Sequence, residues 1–531
     1  MSQSKKQNFL HGAALLAIAT AVVKIVGALY KIPLKMVIGD QGFGYFSTAY
    51  QIYSVLLMIS TAGFPIAMSR IISQASSLGH YNQVRRVFKT ARGIFLGIGV
   101  VSTLLMVIFC RQLAVFQEQP DAWAAVLCLG PCALLMGFLS TYRGFFQGQG
   151  NMLPTSVSQM LEAVVKLLVG LVAAYGIMRY TNNVGLAAAG AILGVTVSCL
   201  VSAIFMRGKF APAYRDLPQT EDEAESYGKV AKALLAIAVP ITIGSAGLQL
   251  LTLLETKLYM SQLLTANGLS QDTADTMKGI YDMAQTIFNM PCAFIIPITI
   301  SVIPAVTEQL TLGNHAQVRE TEESAARITG LLSLPCTVGL CLLASPVMAL
   351  LGDYSGEKLS LAATLLLLLG VCIFPYAIIQ YTNALLQSHG YAHVPVINML
   401  ICGAVRLAVV YFLAGNPAIG ILGAPIGGIL CYCAIAVLNL LAIRRLVAQR
   451  PALLKNLLRS FLPAAAMGAL VWLCSLGLNL AGITSRVLTC GLPICVGVVV
   501  YFVAVVVCKS ITREDCQLLP KGDKIARLLR L

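Results

Sequence analysis

Hydrophobic positions in this chain form long unbroken blocks, and polar positions are confined to short gaps between them. Apolar stretches of about 20 residues recur at 11–34, 43–72, 90–110, 121–143, 153–178, 183–206, 232–262, 279–308, 327–351, 358–388, 393–414, 419–444, 459–480 and 486–509, each long enough to cross a bilayer as a helix. No water reaches the hydrocarbon core to satisfy backbone groups, so only helices or a closed barrel can span it. Runs without period-two alternation exclude the barrel. The pattern predicts an all-α membrane protein with about fourteen transmembrane helices. The first stretch follows Lys5 and Lys6 as a signal peptide would, yet it is longer than a secretory apolar core, contains Lys24 and leads directly into further spans. It reads as a retained helix.

Composition agrees: 58% of the 531 residues are hydrophobic and 11% are charged, where soluble domains carry about 25% charged residues. The charges that remain are unevenly placed. With a cytoplasmic N-terminus, the inside segments hold clusters such as Arg85, Arg86, Lys89 and Arg92, or Arg444, Arg445, Arg450, Lys455 and Arg459. The outside segments hold only Lys35, Arg111, Arg179, Lys278, Lys358 and Arg486. This asymmetry places both termini in the cytoplasm and the protein in the cytoplasmic membrane. The net charge of +15 therefore reflects topology and anionic headgroups, not nucleic acid. Of the 16 cysteines most lie within spans, where a thiol is a small apolar group. Cys431 and Cys433 lack a second ligand pair, so no metal site is expected.

The longest gap, from Arg207 to Lys232, carries the acidic run Glu221 to Glu225 and reads as a solvated linker. An internal repeat supports a division there. Gln147, Gly150 and Pro154 precede Lys166 as Gln387, Gly390 and Pro395 precede Arg406, at an offset close to 240 residues; Pro65 and Pro304 repeat at a similar offset. The expected organisation is an N-terminal lobe of six helices (1–206), a cytoplasmic linker (207–231), a C-terminal lobe of six helices (232–444), and two further helices with a cytoplasmic tail (445–531). Pseudo-symmetric lobes rocking around a central cavity are a common transporter plan.

The spans contain ionisable residues, among them Lys24, Lys31, Glu162, Lys166, Glu255, Lys257 and Arg406. If all faced lipid the cost would be roughly 17 to 25 kcal/mol, so they must line something polar. Lys24 and Lys31 are seven apart, on one helix face. Glu162 and Lys166, at i and i+4, are placed to neutralise each other, whereas Glu255 and Lys257 diverge. Cations remain in excess, which points to an anionic ligand such as a phosphate or diphosphate; snorkelling is the alternative for Lys31 near its helix end. Two polar stripes, Asp282, Gln285 and Asn289, and Gln380, Asn383 and Gln387, each fall at i, i+3 and i+7. Interhelical hydrogen bonding and a hydrated cavity for a sugar-like headgroup both account for them.

No catalytic constellation, phosphate-cradling glycine loop or metalloprotease pair is present in the sequence. An enzyme and an ATPase are not expected, nor is a cofactor. Any driving force would come from an ion gradient, the membrane potential or the substrate's own gradient, and the coupling ion is left open.

Three blocks then resemble a known family. Gly63 to Gln74, Arg143 to Glu162 and Ile303 to Glu308 are similar to signature blocks of the stage V sporulation protein B group, in the polysaccharide transport branch of the multidrug/oligosaccharidyl-lipid/polysaccharide (MOP) flippase superfamily. The resemblance implies fourteen helices in two lobes, alternating access, and a polyprenyl-diphosphate-linked saccharide as substrate, with lipid II foremost. It also implies that Lys24 and Lys31 match the first-helix cations that contact the cavity in related lipid II flippases. Those relatives carry cavity arginines in the second and eighth helices as well; this chain has none near Ser54 or Thr286, and Lys166 and Arg406 are the substitutes on hand. Expected partners are the lipid-linked saccharide and membrane lipids, with the protein a monomer. The competing readings are a flippase for a capsule or teichoic-acid unit and a cation-coupled drug exporter, which would favour acidic residues where Lys24 stands. A membrane scaffold without transport is the remaining rival.

Overall fold

Seventeen α-helices and three single 3-10 turns build the computed structural model, and no strand occurs among the described residues. Those residues are 3–61, 63–448 and 451–512; side chains at 3–21, 24, 25, 28 and 59–61, and at several positions within 240–248 and 296–311, lie outside the description. The chain groups into two compact units, Met1–Asp282 and Met283–Leu531.

The first unit contains α1 (Gln3–Thr61), α2 (Phe64–Ser77), α3 (Tyr81–Ile108), α4 (Cys110–Phe116), α5 (Trp123–Gly148), α6 (Leu153–Thr181), α7 (Val184–Arg215), α8 (Tyr227–Thr265) and the start of α9 (Gln271–Thr311). Two predicted spans merge in α1, broken at Gly39, whose φ of 70° and ψ of −175° leave the helical region. A side chain would be strained there, so glycine makes the break possible. Just beyond it, α9 presses on α1 so closely that a Cβ on Gly279 would lie 1.9 Å from the Asp40 carbonyl oxygen. Tyr30, Phe43, Phe46 and Tyr53 of α1 are fully buried, and the Tyr30 hydroxyl donates to the Ala191 carbonyl of α7 at 3.2 Å. At one end of the unit Phe88 of α3 stacks on Phe210 of α7, 4.3 Å between centroids.

The acidic gap is not a free linker. The Asp222 carboxylate accepts from the backbone N–H groups of Asn82 (3.1 Å) and Gln83 (3.0 Å) in the first turn of α3, where helical N–H groups lack partners of their own. The Gln83 amide donates to Glu225 at 3.0 Å, and Arg85 donates to the carbonyls of Leu217 and Pro218. The run is acidic because it caps a helix start. Since α8 and the start of α9 also belong to the first unit, the contact boundary falls inside α9 and not at residues 207–231.

The second unit holds the rest of α9 with α10 (His315–Leu342), α11 (Ala344–Leu351), α12 (Gly356–Ser388), α13 (His393–Ala414), α14 (Gly423–Leu446), α15 (Leu453–Leu457), α16 (Phe461–Leu480) and α17 (Arg486–Val507). Its core runs through Tyr381, Leu385, Leu386, Ile435 and Leu457. Ten helices among the described residues are long and apolar enough to cross a membrane. The expected fourteen adds the two limbs of α1, α8 and α9, elements that contain undescribed side chains.

A cation cluster as candidate functional site

Lys31 is half-buried on the first limb of α1 and lies within Coulombic reach of Asp282, Lys166 and Lys278. Three elements of the first unit, α1, α6 and α9, thus bring three ammonium groups toward one carboxylate. That carboxylate is already committed. Lys278 is fully buried and its Nζ lies 2.6 Å from Asp282 Oδ2, with the Gly44 carbonyl 3.3 Å away. A pair this buried persists only with good geometry and extra hydrogen bonds, which the i, i+4 spacing and the Gly44 carbonyl supply. Lys31 and Lys166 form no salt bridge among the described residues, so neither ammonium is held by a carboxylate of its own. Ammonium groups so placed have the chemistry to suit an anion with several oxygens, as Lys and Arg do for phosphates.

The pairing expected between Glu162 and Lys166 is replaced. Arg143 of α5 reaches across to α6, donating from Nη2 to Glu162 Oε2 at 3.0 Å and from Nε to Ser158 at 3.0 Å. A guanidinium fork fixed at two points outcompetes a flexible ammonium on the same helix, and Lys166 is left for the cluster. Glu255 is buried on α8, and it and Asp282 both act electrostatically on Tyr259. Lys257 diverges from it as expected, donating to the Phe116 carbonyl (3.0 Å) and to Glu118 (3.3 Å). The Lys24 side chain lies outside the described residues.

A second polar layer stands beside the α1 break. Asp275, 1% exposed, accepts from the Tyr45 hydroxyl (3.0 Å), Gln119 (3.0 Å) and Gln271 (2.9 Å), and Lys35 pairs with Asp40 at 3.4 Å. Sequence reasoning missed Lys278, which it assigned to an outside segment; the spacing to Asp282 was the available signal.

In the second unit the expected site residues are arranged differently. Gln285 is half-buried, while Asn289 and Gln387 are exposed. The Gln380 amide donates to the Tyr376 hydroxyl at 3.1 Å. Asn383 accepts at 2.9 Å from Asn439, a fully buried residue of α14 that also donates to Thr382 (3.1 Å) and accepts from Asn398 (2.9 Å). This network joins α12, α13 and α14, so Asn383 serves interhelical bonding. The Arg406 guanidinium lies over the Tyr432 ring, 5.6 Å from its centroid, a cation–π contact.

The family described as polysaccharide biosynthesis protein matches residues 9–309, and MatE matches residues 274–412. The chain is 25% identical over 99% of its length to the Bacillus subtilis (strain 168) membrane protein YabM, covering 97% of that protein. It is 26% identical over 75% of its length to the lipid II flippase MurJ of the same organism and 24% over 79% to its stage V sporulation protein B, covering 76% and 80% of them. Among solved structures, a multidrug resistance MATE family transporter in the inward-facing conformation aligns with a TM-score of 0.67 at 16% identity, over 82% of this chain and 99% of the other. An inward-closed lipid II flippase MurJ aligns at 0.65 and 12% identity, over 93% and 98%. The chain belongs to the polysaccharide biosynthesis protein family, a multi-pass membrane protein with the fold of the MOP transporter superfamily.

Proposed function

We propose that this protein is a flippase that moves a polyprenyl-diphosphate-linked saccharide, lipid II, across the cytoplasmic membrane by alternating access. The observation that carries this reading is the gathering of Lys31, Lys166 and Lys278 inside the first unit, with Lys31 and Lys166 in no salt bridge among the described residues. A diphosphate on a lipid offers the matching charge while its tail stays in the bilayer. In this reading Lys31 and Lys166 hold the diphosphate together with Lys24, and Lys278 keeps Asp282 from competing for them. Arg406, Glu162 and Glu255 border the cavity, and Gln285, Asn289, Gln380 and Gln387 meet the saccharide. The lobes rock about a central cavity, both termini stay in the cytoplasm, and an inside-negative potential contributes about 2.3 kcal/mol per charge for each 100 mV. The similarity to a lipid II flippase over three quarters of the chain supports lipid II over a capsule or teichoic-acid unit, although any diphosphate-linked saccharide offers the cluster the same anion.

Rescue of cells depleted of their lipid II flippase tests the reading. Wild type restores growth, and Lys31→Ala with Lys166→Ala at equal membrane abundance reduces rescue at least tenfold. Failure of the wild type to rescue, with success in a strain lacking a teichoic-acid or capsule flippase, removes lipid II. Full rescue by the double variant removes the diphosphate site.

A further inference from the structure

A cleft of about 610 Å³ opens in the second unit where α14 ends and α15 begins. Along α14, Val437, Leu441 and Arg444 line it at i, i+4 and i+7, one helix face. Leu440 and Leu454 complete its apolar wall, and Lys455 stands opposite Arg444 on α15. The apolar members Val437, Leu441 and Leu454 are half exposed, at 54%, 45% and 49%, and α14, which carries the first two, is apolar enough to span a membrane.

The cleft is built rather than incidental. The α14 helix stops because Val447 turns extended, φ −94° and ψ 116°. The α15 turn is then pinned to α10. The Ala452 N–H donates to Glu323 at 3.1 Å, Arg327 donates to Asn456 at 3.3 Å, and a Cβ on Gly330 would lie 2.0 Å from the Leu457 carbonyl oxygen. No Asp or Glu is among the described residues that line the cleft, and the nearby Glu323 is engaged by Arg319 and Ala452.

We infer that this cleft binds an acidic glycerophospholipid, its phosphate between Arg444 and Lys455 and an acyl chain along Val437 and Leu441. Charge complementarity selects the acidic headgroup, and basic pockets between membrane helices favour such lipids. A free phosphate gains nothing from the apolar wall. An acidic peptide laid on that wall would leave its own backbone N–H and C=O groups unpaired in lipid.

The experiment uses the full chain in phosphatidylcholine nanodiscs supplemented with phosphatidylglycerol, with retained lipid counted by native mass spectrometry. Phosphatidylglycerol is retained at least fivefold over phosphatidylcholine, and Arg444→Gln with Lys455→Gln abolishes that preference. Arg445→Gln, a cation of the same turn outside the cleft, changes it less than twofold, and excess glycerol phosphate does not displace the lipid. Thermal melting guards against misfolding: wild type and the double variant melt together in pure phosphatidylcholine, and only wild type gains several degrees with phosphatidylglycerol. Equal retention of both lipids, an unchanged preference in the double variant, or displacement by glycerol phosphate overturns the inference.

Discussion

The two units treat their buried polar groups in opposite ways. In the first, α1, α6 and α9 gather Lys31, Lys166 and Lys278 around one carboxylate that Lys278 already occupies. In the second, Asn439 is satisfied by three neighbours, and the buried Glu322 meets His389 at 2.6 Å. The sequence repeat spaces Gln147 to Lys166 as it spaces Gln387 to Arg406, yet Lys166 joins the cation cluster whereas Arg406 lies over Tyr432. Equal spacing has preserved a framework and not a chemistry.

Removing single groups sharpens that contrast, beginning with the largest effect. Lys278→Ala removes the ammonium 2.6 Å from the buried Asp282 carboxylate and costs about 3 to 5 kcal/mol, read as a lower melting temperature in detergent. Replacing both partners by Met and Leu recovers most of the loss, which a structural ion pair predicts.

Asn439→Ala breaks the network of the second unit and leaves Asn383, Asn398 and Thr382 without that partner, at a cost of about 2 kcal/mol. Denaturant-induced unfolding followed by accessibility of the buried Cys402 and Cys431 thiols reads it.

Asp222→Ala uncaps α3, at a cost of about 1 kcal/mol. Slight burial works against the ionised Asp222, but hydrogen bonds from Thr220 and from the Asn82 and Gln83 N–H groups outweigh it and hold the carboxyl below its ordinary value of 3.8. The folded pKa being the lower one, the wild-type advantage is full well above 3.8 and fades as pH falls through that region. Melting curves of wild type and variant should therefore converge in acid and separate at neutral pH.

The smallest stability effect carries the opposite sign. Lys31→Ala or Lys166→Ala relieves like-charge repulsion and raises stability by roughly 0.5 kcal/mol while activity falls, the trade expected where a site is kept strained for function. A loss of stability comparable to that of Asn439→Ala would make the cluster a structural feature and erase the contrast between the units.

Legibility in the sequence follows the same divide. Helices and spans were readable because a lipid solvent permits few backbone solutions, and the blocks of apolar residues report them one by one. Lys31 and Lys166 were readable because an ammonium in an apolar run is anomalous wherever it points. Partner choice was not readable: Glu162 prefers an arginine from another helix to a lysine four residues on, and the acidic run at 221–225 finds the start of α3 across more than a hundred residues of chain. Such choices depend on which helices pack together, and spacing along one helix holds no record of that. Lys278 escaped because it stands close to a predicted boundary, where a charge looks ordinary.

The break at Gly39 gives α1 a pivot clamped on one side by the near contact of Gly279 with Asp40. Lys31 stands eight residues up the first limb, ~12 Å away at helical rise. With Lys31 near the pivot end of that limb, a rotation of about 10° there would sweep its position by ~2 Å, comparable to the difference between contact and separation for an ion pair. A glycine with no chemistry of its own thereby sets how finely a charge can be aimed.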